Sequence, residues 1–161
     1  MLNEEAVREI QELLEHNEYK RGASIEALKV VQKYEGWVSD EALSDVAQLL
    51  DMSVDELDNV ATFYNLIFRR PVGNNVILIC NSVSCWLNGF EKVREQISSS
   101  LGIQLGETTP DKEFTLLPMV CLGDCDHAPV MMVGRNLHRN LSPDNVVEIL
   151  ENYRGQRNPI A

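Results

Sequence analysis

Residues 69–80, Arg69-Arg70-Pro71-Val72-Gly73-Asn74-Asn75-Val76-Ile77-Leu78-Ile79-Cys80, separate two halves of different periodicity. Pro71, Gly73, Asn74 and Asn75 suit turns and end a helical pattern. Val76-Ile77-Leu78-Ile79 is a short, continuous apolar run rich in β-branched residues, which predicts a buried strand. A domain boundary belongs in this segment, with residues 1–70 on one side and 74–161 on the other.

Upstream, the pattern is helical throughout. Val7, Ile10 and Leu14 share a face, and Ala27, Val30, Val31 and Tyr34 form a second stripe that ends at Gly36, a residue free to adopt a left-handed cap. Leu43, Val46, Ala47 and Leu50 repeat the spacing. Ser53 and Glu56 make a capping box for a further helix, which should turn Leu57, Val60, Ala61 and Tyr64 inward. Phe63, Tyr64, Ile67 and Phe68 cannot all face one small core; they form a partner-binding patch or pack onto the second half.

Downstream, Phe90, Val93, Ile97 and Leu101 return to helical spacing, with Gly102 as the cap. Phe114-Thr115-Leu116-Leu117 and Val130-Met131-Met132-Val133 predict two more strands. Ser142 and Pro143 open a last helix that buries Val146, Ile149, Leu150 and Tyr153. The order strand, helix, strand, strand, helix gives a small sheet covered by helices, thioredoxin-like in outline. The expected fold class is α+β, an N-terminal helical bundle followed by a thioredoxin-like α/β domain.

The four cysteines carry the chemistry. Cys80 and Cys85 form C-x4-C at the end of the first strand, and Cys121 and Cys125 form C-x3-C in the loop between the second and third strands. Loops at one edge of a small sheet converge, so the two pairs can meet. Thiolates hold iron–sulfur clusters, and a [2Fe–2S] cluster takes two sulfur ligands per iron. Gly123 between the second pair lets the backbone point an N–H group at sulfur. A structural zinc site also uses four cysteines, and the spacing does not exclude it. A thioredoxin-type pair needs C-x-x-C, which is absent. Buried inert thiols are the third alternative.

Composition narrows the function classes. A formal net charge of −11 argues against nucleic acid and against direct contact with anionic lipid. No stretch approaches the eighteen or so apolar residues of a membrane span, and the acidic start MLNEEAVREI has no signal-peptide character. The expected setting is a reducing compartment, where four free thiols point to a metal and not to disulfides.

Asp111-x-x-Phe114-Thr115, five further residues and then Cys121-Leu122-Gly123-x-Cys125-x-x-Ala128-Pro129 resemble the signature of the 24 kDa subunit family of respiratory complex I, known in bacteria as the E subunit of NADH–quinone oxidoreductase. The Cys80–Cys85 pair followed by Gly89 is similar to that family's first pair. Ala23-Ser24-Ile25-Glu26-Ala27-Leu28 and Val60-Ala61-Thr62-Phe63-Tyr64 also match family segments, so the resemblance runs roughly from residue 20 to 154. It implies a thioredoxin-like ferredoxin domain with one [2Fe–2S] cluster on Cys80, Cys85, Cys121 and Cys125. It also implies single-electron exchange with the FMN of a neighbouring flavoprotein subunit that carries the NADH site. Other peripheral-arm subunits complete the complex, and quinone is reduced elsewhere in it. The implied location is cytoplasmic, peripheral to the inner membrane through the complex. Related subunits serve NAD-linked formate dehydrogenases and NAD-reducing hydrogenases. No G-x-G-x-x-G turn follows a strand here, in keeping with nucleotide sites on the partner. Lys112 stands where many family members have glycine, which bears on the turn before Phe114.

Several residues near the cysteines invite other readings. His127 is expected to be a loop residue donating a hydrogen bond, since a Rieske centre needs two histidines and two cysteines. His16 and His138 read as surface positions, and Asp124 and Asp126 as solvated charges that would lower a cluster's potential. Trp86 either shields the site or meets a partner, and packing accounts for at least one of Met131 and Met132.

Overall fold

Four helices pack around one aliphatic core in the first half of the computed structural model, which describes residues 2–160. They are α1 (Glu4–Glu15), α2 (Ser24–Glu35), α3 (Asp40–Leu49) and α4 (Val54–Phe63). Each start is specified locally where a side-chain acceptor is available. Asn3 accepts from the Glu5 N–H, Ser39 from the Ala42 N–H, and Ser53 with Glu56 closes the expected capping box. Gly36 ends α2 in the left-handed conformation. Ile10, Leu28, Leu43, Leu50 and Leu57 are fully buried, and each such side chain contributes about 1.5–3 kcal/mol by leaving water.

The segment after α4 differs from expectation. The helix stops at Phe63, and Tyr64 leaves it in extended backbone, 42% exposed. Helical spacing would turn Tyr64 inward only if the helix continued. Ile67 and Phe68 are buried instead, while Phe63 and Tyr64 point out. This non-helical stretch of chain is held by polar groups that no periodicity announces. The buried Gln32 side chain donates to the Leu66 carbonyl at 2.9 Å and accepts from the Phe68 N–H at 2.7 Å. Arg69 reaches Asp58 at 2.7 Å, Asp40 at 2.6 Å and the Val38 carbonyl.

The second compact unit begins at Val72. Its elements are β1 (Asn75–Cys80), α5 (Val83–Leu87), α6 (Phe90–Leu101), β2 (Phe114–Met119), β3 (Met131–Val133), β4 (Asn136–His138) and α7 (Pro143–Glu151). The sheet order is β2-β1-β3-β4, with β1 and β2 parallel and the other pairs antiparallel. Every residue of β1 is buried, which is why its sequence runs apolar without alternation. Helices α6 and α7 pack on each other, and Ile97, Phe114, Leu116, Met131 and Leu150 lie in the same core. The α+β organisation follows the expected order, helices first and then a thioredoxin-like sheet unit.

Two elements and one clamp are new. Strand β4 is three residues long, and α5 spans five, so neither carries enough pattern to be read from sequence. Asn75, expected in a turn, is the first residue of β1 and is fully buried. Its amide donates to the carbonyls of Gln156 at 2.9 Å and Tyr153 at 3.2 Å and accepts from Asn158 at 2.8 Å, which fastens the C-terminal segment to the sheet. Gly73 is required just before it, because a Cβ there would stand 2.8 Å from the Phe114 backbone.

Candidate metal centre

The four cysteines come from three places in the second unit. Cys80 is the last residue of β1, Cys85 lies within α5, and Cys121 and Cys125 frame the loop that follows β2. The sequence pattern places Cys85 just ahead of a helix beginning near Gly89; it sits instead on the short helix α5, one turn earlier. Parallel pairing of β1 with β2 brings Cys80 level with Met119, so both strands deliver their cysteines at the same edge. The Cys80 thiol lies 3.6 Å from the Val120 carbonyl.

The thiols fall into two pairs. Cys121 Sγ and Cys125 Sγ stand 3.9 Å apart, and Cys80 and Cys85 share a hydrogen bond. Two thiolates on one tetrahedral metal, each bonded at about 2.3 Å, are about 3.8 Å apart. The exposed pair therefore has the separation of two ligands on one ion. The pairs also sense each other, since Cys85 lies within electrostatic reach of Cys125, and Cys125 within reach of Cys80.

Protonation behaves as expected for crowded sulfurs. Burial, and then the hydrogen bond with Cys80, pushes the Cys85 thiol up to about 11. The Cys125 thiol is raised chiefly by its contact with Cys121, against a hydrogen bond from Ser84 that lowers it. Thiolates crowded within a pair repel, so the charged form of each pair needs a cation beside it; among the described residues no three such donors stand close enough together to hold one ion. The donor set fits a metal that exchanges for the protons.

Donors already face the sulfurs. Gly123, at φ +79°, gives its N–H to Cys121 Sγ at 3.4 Å, the role its position between the cysteines predicts. Any L side chain at that φ adds strain. The Val130 N–H and the Ser84 hydroxyl bond to Cys85 and Cys125. No motif in the sequence singles out either of these two.

Around this site lies exposed apolar surface. Val83 (70%), Trp86 (58%) and Leu87 (70%) make one outward face of α5, and Val120 (74%) precedes Cys121. Helix α5 is thus inverted, with Cys85 buried and its large apolar side chains in solvent.

The other singled-out residues fall as follows. His127 gives its Nδ1–H to Asp124 at 2.8 Å and points at no sulfur. Asp126 is exposed, but Asp124 is not a solvated charge, being held by His127 and Arg139. His16 is a surface residue bonded to the Glu12 carbonyl. His138 is not a surface position: it is half-buried, 2.8 Å from the Tyr153 hydroxyl, and burial lowers its pKa. Met131 is in the core. Lys112 occupies a left-handed position at φ +60°, the conformation a glycine would take without strain.

Comparison with known proteins gives the family. Residues 10–154 match the thioredoxin-like [2Fe-2S] ferredoxin family. The chain is 45% identical over 153 residues to the NADH-quinone oxidoreductase E subunit of Pseudomonas aeruginosa, covering 95% of this chain and 92% of that protein. It is 46% identical over 145 residues to the corresponding E subunit of Escherichia coli K12, covering 90% and 87%. The crystal structure of an H2-reduced NAD+-reducing [NiFe]-hydrogenase shares the fold, with a TM-score of 0.72 at 19% identity over 83% of this chain, which spans 22% of that one. Among the described residues, no helix is long and apolar enough to cross a membrane. The chain belongs to the thioredoxin-like [2Fe-2S] ferredoxin family, alongside the bacterial E subunits of NADH-quinone oxidoreductase.

Proposed function

We propose that this chain is the electron-transfer subunit of an NADH–quinone oxidoreductase and holds one [2Fe–2S] cluster on Cys80, Cys85, Cys121 and Cys125. The observation that carries the reading is the placing of the four cysteines as two pairs, one on β1 and α5 and one on the loop after β2, within electrostatic reach of each other. Two pairs of soft donors suit two irons, one pair each. When bound, the cluster supplies a one-electron carrier.

The chain's own residues prepare that site in three ways. Cys80 and Cys85 are fixed by the buried end of β1 and by α5. The Gly123 and Val130 N–H groups and the Ser84 hydroxyl face sulfur, where they favour extra negative charge on reduction. The apolar face of Val83, Trp86, Leu87 and Val120 excludes water once a partner covers it.

That partner is the flavoprotein subunit bearing FMN and NADH, and the exchange is of single electrons with its flavin. The helical domain, residues 1–70, holds no cysteine, so the redox work falls to residues 74–161. The setting is the cytoplasmic face of the inner membrane, reached through the complex and not by insertion. Mixing the anaerobic protein with the flavoprotein subunit and NADH tests the reading. A reduced binuclear-cluster signal from this chain is expected in the paramagnetic resonance spectrum. A flavin that NADH reduces beside a cluster that stays oxidised would contradict it.

A further inference from the structure

Beside the cysteines sits a polar cluster that ligand chemistry does not use. Asp124 lies between Gly123 and Cys125, in a loop whose two cysteines are exposed, yet its side chain is only 17% exposed. One carboxylate oxygen accepts from the His127 Nδ1–H at 2.8 Å, and the other accepts from the Arg139 Nε–H. Arg139 directly follows β4, so the contact ties the cysteine loop to the edge strand of the sheet. The backbone runs alongside, with the Asn140 N–H on the His127 carbonyl at 2.8 Å and the Leu141 N–H on the Pro129 carbonyl at 3.0 Å. Apolar anchorage is slight here, since Leu122 and Ala128 are only partly buried. A carboxylate held by a guanidinium is a charge-assisted contact, among the stronger polar ties available.

The geometry points to Asp124 and Arg139 as a positioning pair for the second cysteine pair. They hold Cys125 against Cys121, and they bring equal and opposite charges to the site. The loop therefore carries a carboxylate next to a sulfur ligand without making electron addition harder. This inference rests on the cluster reading proposed above.

The test uses the cluster-loaded protein and three variants, Asp124→Asn, Arg139→Gln and the two combined. Two quantities are read: the reduction potential, by a redox titration followed by paramagnetic resonance, and the rate of iron loss to a chelator. Arg139→Gln leaves the carboxylate uncompensated and lowers the potential. Asp124→Asn leaves the guanidinium uncompensated and raises it. The double variant returns close to the parent potential. All three lose iron faster, on the order of tenfold, the scale of supporting-residue mutations at metal sites. A merely structural contact would move both single variants' potentials in one direction, and that result overturns the charge pairing. Iron loss at the parent rate in all three overturns the positioning role. Arg139→Lys keeps the test open if Arg139→Gln does not fold: parent potential with faster iron loss supports the pair, and a shifted potential contradicts it. A parent protein without iron and sulfide would strike the cluster reading itself, a different failure from any of these.

Discussion

The two cysteine pairs sit in opposite surroundings. Cys80 and Cys85 are 2% and 1% exposed and join the hydrophobic core of the sheet unit. Cys121 and Cys125 are exposed, on a loop with a short 3-10 turn at Cys125–His127. The buried pair takes its position from regular structure, namely the last residue of a central strand and a short helix packed against α6. The exposed pair is placed by individual polar contacts: the Gly123 N–H, the Ser84 hydroxyl and the Asp124–Arg139 ion pair. One pair is thus set by regular structure and the other by local contacts. Changes to the core should disturb protein and cluster together, whereas changes in the loop should reach the cluster alone.

The largest effects fall on the ligands. Replacing any one of the four cysteines by alanine should abolish the binuclear cluster, read as loss of iron and acid-labile sulfide. The comparison adds a second readout. In the iron-free protein, Cys85→Ala should cost about 1 kcal/mol in urea unfolding, close to the value of one buried methylene-sized group, while Cys121→Ala should cost nothing measurable. Equal costs would erase the distinction between the pairs.

Next comes Asn75, which anchors the strand that ends in Cys80. Asn75→Leu strands several buried backbone carbonyls and should destabilise the protein by about 2–4 kcal/mol, with cluster content falling alongside. Gly123→Ala should separate the two quantities. The left-handed position costs a non-glycine residue about 1–2 kcal/mol locally, so iron loss should quicken while the unfolding midpoint of the iron-free protein moves little.

Smaller effects come from β4 and the turn before β2. His138 has a pKa lowered by burial, so the folded state resists a proton that the unfolded chain accepts. Its contribution to stability should be complete above the unfolded value of about pH 6.5 and decline as pH falls from there through the lowered folded value. His138→Gln should flatten the decline in a pH series of unfolding midpoints. Smallest of all, Lys112→Gly relieves a left-handed lysine and should shift stability upward by no more than about 1 kcal/mol.

What the sequence revealed follows the same division between pattern and contact. Helices α1 to α4, α6 and α7 were legible because 10 to 12 residues of apolar spacing, or nine for α7, repeat often enough to be unmistakable. Strand β1 was legible as an apolar run, and the delivery of Cys80 and Cys121 at the same edge followed from strand order. Short elements were not. Strand β4 has three residues, and α5 turns Val83, Trp86 and Leu87 outward, against the rule by which helices are recognised. Gln32, Arg69, Asn75 and the Asp124–Arg139 pair were hidden for a deeper reason. A polar side chain is placed by the orphan backbone group or opposite charge it meets in space, and that partner lies 11 to 83 residues away. Gly123 was the exception, because its partner is two residues distant and local geometry was enough.

The most direct test of the central claim is a paramagnetic resonance spectrum of the dithionite-reduced protein, purified without oxygen and paired with metal and sulfide analysis. The account predicts the signal of one reduced binuclear cluster, with about two irons and two sulfides per chain. A colourless, silent sample with about one zinc per chain would contradict it and make the four cysteines a structural clasp.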